Sequence, residues 1–296
     1  MRSGRVLVTG ATGNAGSAVC AALAAEGHAL RLADVTLPGP DTRRLGEVVR
    51  CDLRTPEDAR RVVDGVDAVI HLAAWHSGHV PPVSDPTLFS VNVDGTFHLL
   101  QACREAGAPP VVFGSSMAHG FGDVYGLTKV LGEDLCRGYH HMTGAAVVML
   151  RYHAFVPGPY LEYGARLLRN GVDRRDVVSA TLAALAAVRS GCVTLFTTVV
   201  HSDHGMPPEV RADFRRLGPA WCEAQLPGSR ALLKRYGLDL PERVEQHDLS
   251  GAAGQLGWRP QVTFLDFLRD LARRDARGED VRRLTVPGEL PGEPSP

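Results

Sequence analysis

A glycine-punctuated turn near the amino end constrains the fold of this chain more than any other feature. Residues 5–9 form a short run of β-favouring residues, and Gly10, Gly13 and Gly16 follow at once. Apolar residues then recur at helical spacing. A strand, a tight glycine turn and a helix in this order predict the beginning of a parallel α/β sheet.

The alternation of strand-like and helical segments continues well beyond this turn. Further strand-like runs lie at 30–34, 48–51, 68–72, 111–113, 146–150 and 193–200. Apolar stripes at helical spacing near 89–100 and 178–188 are expected to pack on the sheet. The pattern predicts a Rossmann-type, doubly wound parallel sheet, which is an α/β fold.

The same segments predict the domain organisation. We expect a first domain over residues 1–150, completed by 172–200, and a smaller lobe over 151–171 and 201–286. With 296 residues and 44% hydrophobic content, the chain can bury one sizeable core and a smaller lobe on it. Residues 287–296 are mostly Pro, Gly and Glu and bury little apolar surface, so we expect a flexible tail.

Composition weighs against several classes of partner. Lys and Arg total 32 against 33 Asp and Glu, so we expect no broad basic surface for a nucleic acid. No apolar run reaches the length of a membrane span or of a signal peptide. The 6 cysteines are scattered without a CxxC pair, which is typical of a reduced protein. We therefore expect a cytoplasmic protein with no membrane and no nucleic-acid partner.

The glycine turn has a specific chemical use. Glycine lets a phosphate group approach the backbone, and the following helix directs its amides and positive dipole end to the same place. Asp34 ends the second strand, where a carboxylate accepts hydrogen bonds from ribose hydroxyls and repels a 2′-phosphate. The pattern indicates NAD rather than NADP. An ordinary glycine turn, with Asp34 as a turn cap, is the alternative.

Several short motifs occur in a fixed order along the chain. They are TGATGNAG at 9–16, Asp34, CDL at 51–53, HLAA at 71–74, VNVDGT at 91–96, GSS at 114–116 and YGLTK at 125–129. Further motifs are LRY at 150–152, RRDVV at 174–178 and LGWRP at 256–260. Together they resemble the extended short-chain dehydrogenases/reductases, within the NAD-dependent epimerase/dehydratase family. The resemblance covers nearly the whole chain.

The resemblance implies a bound NAD and a catalytic Tyr/Lys pair, Tyr125 and Lys129. The implied cofactor-binding residues are Gly10, Thr12, Gly13, Asn14, Ala15, Gly16, Asp34, Asp52, Leu53, Leu72, Ala73, Ala74, Asn92, Tyr125, Lys129 and Tyr152. It also implies a catalytic serine, which is either Ser115 or Ser116. Counting back from Gly120 favours Ser115 and counting forward from Phe113 favours Ser116, so the choice stays open.

Tyr125 and Lys129 are four positions apart at the start of a predicted helix, so they share one face. Tyr125 has to exchange a proton near neutral pH, although free tyrosine titrates near ~10. A fall of about three pKa units corresponds to about 4 kcal/mol. Lys129 at ~5 Å supplies roughly 3 kcal/mol at an effective dielectric of ~20. We therefore expect Lys129, with a cationic nicotinamide ring, to lower the pKa of Tyr125.

Ligands of open α/β sheets bind at the carboxyl edge of the strands, where the loop after strand 68–72 is expected. The residues expected to contact substrate are Trp75, His76, Ser77, Ser115, Ser116, Met117 and His153. The smaller lobe is expected to complete this site. His201, Asp203 and His204 share one loop without a second ligand cluster, so the sequence predicts no metal site.

Departures from the family pattern narrow the activity. Met117 and Ala118 stand where sugar dehydratases carry acidic residues, which disfavours dehydration. The segments before Tyr125 and after Tyr152 are short, which favours a smaller substrate and makes the chain similar to uronate dehydrogenases. Arg151, Arg166 and Arg169 are candidates to bind an anionic group, with solvated surface arginine as the alternative.

We expect an NAD-dependent epimerase or oxidoreductase that acts on a hydroxyl of a sugar or nucleotide-sugar. The alternatives are a uronate-like sugar dehydrogenase that releases NADH, a ketone reductase of secondary metabolism, and a non-enzymatic NAD(P)-sensing regulator. The resemblance further implies a homodimer, formed through the helices that carry Phe97, Leu100, Leu131 and Leu135.

Overall fold

The computed structural model describes residues 4–79 and 81–291 of the chain. Its strands are, in chain order, β1 (Arg5–Thr9), β2 (Ala29–Asp34), β3 (Glu47–Arg50), β4 (Ala68–His71), β5 (Val111–Ser116), β6 (Val147–Tyr152), β7 (Gly158–Pro159), β8 (Leu195–Val200) and β9 (Thr285–Val286).

Helices separate most of these strands. They are α1 (Asn14–Ala25), α2 (Pro40–Arg43), α3 (Pro56–Val63), α4 (Asp85–Phe89), α5 (Gly95–Glu105), α6 (Val124–Thr143), α7 (Tyr160–Leu167), α8 (Arg174–Ser190), α9 (Pro208–Ala212), α10 (Phe214–Gln225), α11 (Ser229–Tyr236), α12 (Ser250–Leu256) and α13 (Phe264–Ala276). A π-helical turn, Ser90–Asp94, joins α4 to α5. No helix in the described part of the chain combines the length and apolar content that a membrane span needs.

Seven strands form one sheet in the order β3-β2-β1-β4-β5-β6-β8. The pairs from β3 through β6 are all parallel. The chain builds outward from β1 to β3 and then returns to β4 on the other side of β1, which creates the switch point of a doubly wound sheet. The predicted Rossmann-type fold is confirmed. All seven strand-like runs of the sequence are strands of this sheet, with ends shifted by a few residues.

The central strands are buried along their length. Val6, Leu7 and Val8 of β1 are each 0% exposed, as is Ile70 of β4. Parallel strands covered by helices on both faces have no solvent side, so they read as continuous apolar runs. This explains why the sequence shows short apolar runs rather than alternation at these strands.

The described chain divides into two compact units. The first covers the chain up to Tyr152 together with Val178–Val199 and Ser250–Trp258. The second covers His153–Val177, Val200–Leu249 and the chain from Arg259 onward. Residues 250–258 lie in the first unit, although they were predicted to belong to the smaller lobe. There the indole Nε1 of Trp258 donates a hydrogen bond to Ser179 Oγ of α8 at 2.9 Å.

The second unit has an aromatic core. Phe264 and Phe267 of α13 stack with ring centroids 5.8 Å apart, and Tyr160 of α7 lies 5.0 Å from Phe267. The buried hydroxyl of Tyr160 donates to Asp270 at 2.8 Å, which satisfies its polar group. This core forms from helices, which explains why the sequence loses its strand-and-helix rhythm after His201.

The predicted tail at 287–296 is only partly described. Within 287–291, Leu290 is buried and its amide donates to Asp173 Oδ2 at 2.9 Å. Gly288 accepts a hydrogen bond from the amide of Arg174 at 2.9 Å. This part of the segment is therefore packed in the second unit, because backbone bonds to buried groups compensate for its low apolar content. Residues 292–296 lie outside the described residues.

Candidate active site

Two glycines of the amino-terminal turn are required by close backbone contacts. Gly10 has a φ of 71°, and a Cβ there would lie 2.6 Å from the amide nitrogen of Ala73. A Cβ at Gly16 would collide with the carbonyl oxygen of Gly10. Any larger residue at either position would push α1 or the loop after β4 away from the turn.

Gly13 differs from Gly10 and Gly16 because it is exposed to solvent. A Cβ there would meet only Gly10 O, at 3.2 Å. Gly13 is the N-cap of α1, and its helix has no side-chain cap bond. The glycine therefore leaves a cradle in front of the first turn of α1, beside Asn14 and Ala15. A pyrophosphate fits this cradle, since it binds to backbone amides and to the positive end of the helix dipole.

Asp34 lies at the end of β2 and binds the backbone of the glycine turn. Its Oδ2 accepts from the amide of Thr12 at 3.0 Å, and its Oδ1 accepts from the amide of Thr36 at 3.1 Å. Each carboxylate oxygen can accept a further hydrogen bond. The capping role and the predicted ribose contact are therefore compatible in one side chain.

Asp52 and Leu53, which the family resemblance implies are cofactor-binding residues, are held by other protein groups. Arg54 donates to Asp52 from two of its nitrogens, with the shortest distance 2.6 Å. These bonds lower the pKa of Asp52. Leu53 is buried, and its carbonyl oxygen bonds to His98 Nδ1 at 2.9 Å. The segment after β3 is thus fixed in place. Its predicted contacts with the cofactor stay predictions.

Asn92, in the π-helical turn, clamps the loop after β4. Its Oδ1 accepts from the amide of Trp75 at 2.8 Å. Its Nδ2 donates to Trp75 O at 2.9 Å and to Thr128 Oγ1 of α6 at 3.0 Å. Both amide protons are therefore used within the protein, and Asn92 fixes Leu72, Ala73 and Ala74 relative to α6. The predicted direct contact of Asn92 with a cofactor stays a prediction.

Tyr125 and Lys129 lie in the first two turns of α6, as the sequence predicted. Asp123 caps this helix by accepting from the amide of Gly126 at 2.6 Å. Lys129 Nζ lies 5.6 Å from the centroid of the Tyr125 ring. The helix therefore brings the phenol and the amine to one place, as the four-residue spacing requires.

Lys129 is buried, and its ammonium group is tied to β5. Its Nζ donates to the carbonyl oxygen of Gly114 at 2.9 Å. Burial lowers the pKa of Lys129 to about 8, while Cys136 and Glu133 oppose this change. The amine is thus poised to change its charge near neutral pH, which is unusual for lysine.

Tyr125 differs from expectation. Burial raises its pKa, the Ser116 hydroxyl lowers it by a hydrogen bond, and the charge of Asp123 raises it. The pKa of Tyr125 is raised in the chain by itself, whereas the prediction was a fall caused by Lys129 together with a cationic nicotinamide ring. Desolvation of the phenolate outweighs the hydrogen bond from Ser116. Lys129 directs its Nζ to Gly114 rather than to the phenol oxygen.

The two candidate serines have different partners. Ser115 is buried, and its Oγ donates to Glu133 Oε1 at 2.7 Å. Ser116 is half-buried, accepts from the amide of Ala118 at 3.1 Å and interacts with Tyr125. The Ser115 hydroxyl is therefore engaged by Glu133, whereas Ser116 is the serine whose hydroxyl hydrogen-bonds Tyr125.

The comparison with protein families agrees with this geometry. The model of the NAD-dependent epimerase/dehydratase family matches residues 6–166, more than half of the chain. The chain belongs to this family. The resemblance seen in the sequence motifs is thereby confirmed.

The curated relatives of this chain include uronate dehydrogenases. A uronate dehydrogenase of Pseudomonas putida is 30% identical over 172 residues, which cover 52% of this chain and 62% of that protein. A uronate dehydrogenase of Agrobacterium fabrum is 30% identical over 207 residues, covering 64% and 74% respectively. The match to the first of these spans less than two thirds of its length.

A solved structure resembles the whole fold. It is a short-chain dehydrogenase/reductase superfamily protein from Agrobacterium tumefaciens with bound NAD. The TM-score is 0.68 at 26% identity, with 94% of this chain and 100% of that chain covered.

Other predicted site residues lie in varied surroundings. Tyr152 is buried, with its hydroxyl 2.8 Å from Thr181 Oγ1. Trp75 and His76 are half-buried and both contact His79, whereas Ser77 is exposed. Met117 is half-buried after β5. His153 belongs to the second unit, where it packs against His201 and His247.

Sequence reasoning missed Glu133, which lies behind the candidate active site. It is 0% exposed and is bound by Arg151 through two hydrogen bonds of 2.7 Å. Arg137 adds a bond of 2.8 Å, and Ser115 donates to the same carboxylate. The i,i+4 pair Glu133 and Arg137 was the available signal. Arg151, a candidate anion binder, is thus engaged within the protein.

We predict that Glu133→Gln lowers the free energy of unfolding by about 2 kcal/mol, because it removes the buried negative charge that the half-buried Arg151 and the Ser115 hydroxyl bind. Burial opposes ionisation of Glu133, but the hydrogen bonds from Arg151 and Ser115 outweigh it and lower its pKa. A depressed carboxyl pKa stabilises the fold above its unfolded value near ~4.3 and loses that contribution as the pH falls. Denaturant unfolding from pH 7 downward measures both effects.

Asp134→Asn is the matched control, because Asp134 is exposed and pairs only with Arg137 among these groups, at 2.7 Å. We expect its free energy of unfolding to change by less than about 0.5 kcal/mol. Equal stability of the Glu133 and Asp134 variants at pH 7 would show that the buried carboxylate does not support the fold.

Proposed function

We propose that this chain is an NAD-dependent dehydrogenase that oxidises a hydroxyl group of a sugar or sugar acid. One observation supports the proposal: the Ser116 hydroxyl, at the carboxyl end of β5, hydrogen-bonds Tyr125, whose ring centroid lies 5.6 Å from Lys129 Nζ. The glycine turn at Gly10–Gly16 belongs to the same compact unit. The residues proposed to transfer the proton and those proposed to bind the dinucleotide thus belong to the same unit.

NAD, when bound, supplies the acceptor for the hydride of the carbinol carbon. The phenolate form of Tyr125 takes the proton of the substrate hydroxyl and becomes the phenol as the carbon is oxidised to a carbonyl. Ser116 Oγ hydrogen-bonds the same substrate oxygen and orients it toward Tyr125. Ser116 suits this role better than Ser115, because its hydroxyl hydrogen-bonds Tyr125, whereas the Ser115 hydroxyl donates to Glu133.

Lys129 acts on Tyr125 through its charge. Its Nζ is anchored on Gly114, 5.6 Å from the Tyr125 ring centroid, so a positive charge there stabilises the phenolate during proton transfer. Because the pKa of Lys129 is about 8, this charge is present at pH 7 and is lost as the pH rises through that value. Above that pH, a higher pH favours the phenolate of Tyr125, but the loss of the Lys129 charge makes the phenolate less stable.

A dehydrogenase is favoured over the epimerase that the sequence analysis placed first. The curated relatives with 30% identity are uronate dehydrogenases. Likeness to a UDP-galactose 4-epimerase, at 24% identity and a TM-score of 0.64, concerns the fold alone. A purely regulatory NAD-sensing protein has no need for a phenol, a serine hydroxyl and a buried amine that converge.

We predict that the purified protein reduces added NAD in the presence of a uronate or an aldose, with release of NADH. Tyr125→Phe should lower kcat by about 10²- to 10⁴-fold because it removes the proton acceptor, while NAD still binds. NADH absorbance measures turnover, and calorimetry measures NAD binding.

Tyr236→Phe controls for the loss of a phenol hydroxyl, since Tyr236 bonds Asp275 in the second unit. Its turnover should match that of the wild type. Near-stoichiometric NAD that stays bound through turnover, with interconversion of two sugars and no NADH release, would instead establish an epimerase. Undiminished turnover by Tyr125→Phe would refute the assigned chemistry.

The two serines give a second prediction, which decides what the sequence left open. Ser116→Ala should lower kcat by about 10²-fold or more, because its hydroxyl orients the reacting oxygen. Ser115→Ala should leave kcat within about threefold but lower the free energy of unfolding by about 1 kcal/mol, because it removes a buried bond to Glu133. Steady-state kinetics and denaturant unfolding of both variants separate the roles. The reverse pattern would make Ser115 the catalytic serine.

We also infer that two copies of the chain associate through α5 and α6. Residues from both helices line an apolar groove, including all four that the sequence analysis named: Phe97, Leu100, Leu131 and Leu135. Phe97 is 50% exposed and Met142, also in the groove, is 63% exposed. The groove runs between two helices of one chain, so a second copy can bring the same apolar surface to it in a two-fold self-complementary contact.

Phe97→Asp should convert the dimer into a monomer, because it places a charge in the apolar centre of the contact. Leu37→Asp changes a residue of similar exposure, 51%, away from this groove and should leave the dimer intact. Light scattering coupled to size-exclusion chromatography gives the mass of each variant. A monomeric wild type would refute the inferred dimer.

The cysteines support a reducing location. All six are free, and five of them are buried. Burial raises the pKa of Cys20, Cys51 and Cys103 to about 12, so these thiols stay protonated and unreactive. The cytoplasmic location inferred from the sequence stays a prediction.

A further inference from the structure

Three histidines converge in the second unit, and two of them come directly after neighbouring strands. His153 follows β6 and His201 follows β8. Val147 donates to Thr194 O at 2.8 Å near the start of these strands, and His153 donates to Val200 O at 3.1 Å near their end. The two strands therefore run in the same direction, which places both histidines side by side.

His247 completes the cluster from the irregular segment between α11 and α12. Val244, three residues before it, is buried and donates its amide to Arg211 O at 2.9 Å. Leu249, two residues after it, is also buried. The segment is therefore anchored on both sides of His247, and the ring is held against the other two.

The three rings are close enough to share one small ligand. The ring centroids are 4.2 Å apart for His153 and His201, 4.9 Å for His153 and His247, and 5.0 Å for His201 and His247. One ring nitrogen from each histidine lies within 4.8 Å of those of the other two. Among the described residues, this is the one group of three or more His, Cys, Asp or Glu side chains with such a spacing.

The cluster is rich in unsatisfied polar atoms. His153 is 6% exposed and His201 is 1% exposed, and neither ring nitrogen of either residue has a hydrogen-bond partner with good geometry. Nε2 of His247 is also buried without a partner. A buried polar atom without a hydrogen-bond partner destabilises the fold. Five such atoms in one place are a stronger signal of a missing ligand than of ordinary packing.

The rings of His153 and His201 are neutral, as metal ligands have to be. Burial lowers the pKa of His201 to about 2, with His153, His204 and His247 adding to the effect and the backbone of Arg169 opposing it. Burial and His247 lower the pKa of His153 to about 4, whereas the backbone of Asn170 raises it. Neutral imidazole offers a lone pair to a metal ion without prior loss of a proton.

We propose that His153, His201 and His247 bind one divalent transition-metal ion, with Zn²⁺ as the expected ion. Imidazole nitrogen is a preferred zinc ligand, with bonds of about 2.0–2.1 Å and tetrahedral geometry. Such bonds separate ligand atoms by about 3.3 Å, so small side-chain rotations from the present spacing complete the site. Three protein ligands leave a fourth position for water or another oxygen ligand.

The site was not predicted from the sequence, which weighed only His201, Asp203 and His204. His204 serves another purpose, since its Nε2 bonds Leu167 O at 2.9 Å and its Nδ1 accepts from the amide of Phe264 at 3.1 Å. Nothing in the chain spacing joins His153, His201 and His247, because only the fold brings them together. A trapped water is the competing occupant of the same polar place.

The test is metal binding by the full-length protein after removal of any polyhistidine tag and stripping with a chelator. Competition with a chromophoric chelator measures the affinity and stoichiometry for Zn²⁺, and the visible absorption of added Co²⁺ reports its geometry. We expect about one Zn²⁺ per chain and an intense Co²⁺ spectrum typical of four-coordinate sites. His247→Gln should weaken Zn²⁺ binding by at least about 10-fold.

His247 is only partly buried, so its substitution carries a smaller risk to folding than that of His201. His201→Gln is the second variant, and thermal melting confirms that each variant is folded. His141→Gln, which removes an exposed histidine outside the cluster, should bind Zn²⁺ like the wild type. Absence of Zn²⁺ and Co²⁺ uptake by the wild type, or equal uptake by the His247 and His141 variants, would overturn the proposal. The measurement needs no turnover, so it is independent of the proposed dehydrogenase activity.

Discussion

The close approach of α6 to β5 is the contact on which the candidate active site depends. A Cβ at Gly132 of α6 would lie 2.6 Å from the ring of Phe113 in β5, so only glycine allows the helix to come this near. The short distance lets Lys129 reach the Gly114 carbonyl and lets Glu133 reach Ser115. The bonds from Arg151 to Glu133 then tie β6 to the same helix. Tyr125 is positioned because its whole helix is fixed.

Burial controls the chemistry of the groups so positioned. The same desolvation that raises the pKa of Tyr125 lowers that of Lys129, since both effects disfavour charge. Both groups are therefore shifted toward neutrality before a reaction begins. Charge that develops on the Tyr125 oxygen has few competing dipoles around it, so a nearby positive charge has a larger effect there than in water.

Buried polar side chains in both compact units have partners in most of the places that matter to the site. In the first unit, Asn92 joins a loop to α6, and His71 bonds Thr9 and Thr96 at 2.7 and 2.9 Å. In the second unit, Tyr160 bonds Asp270, whereas His153 and His201 lack partners. Single buried atoms without a partner also occur at His79, Ser202 and Ser229, so what marks a ligand place is the convergence of five such nitrogens.

The sequence by itself determined the sheet, the glycine turn and the Tyr125–Lys129 pair, because each rests on local spacing: strand runs, glycine conformation and helical periodicity. Tertiary structure alone gave Ser115 and Ser116 different partners, because Glu133 of α6 accepts from the Ser115 hydroxyl while the Ser116 hydroxyl bonds Tyr125. It alone revealed Glu133 with Arg151, and His153 with His201 and His247, since those partners are distant in the chain. It also reversed the expected direction of the Tyr125 pKa, because desolvation depends on what surrounds a group and not on its neighbours in the sequence.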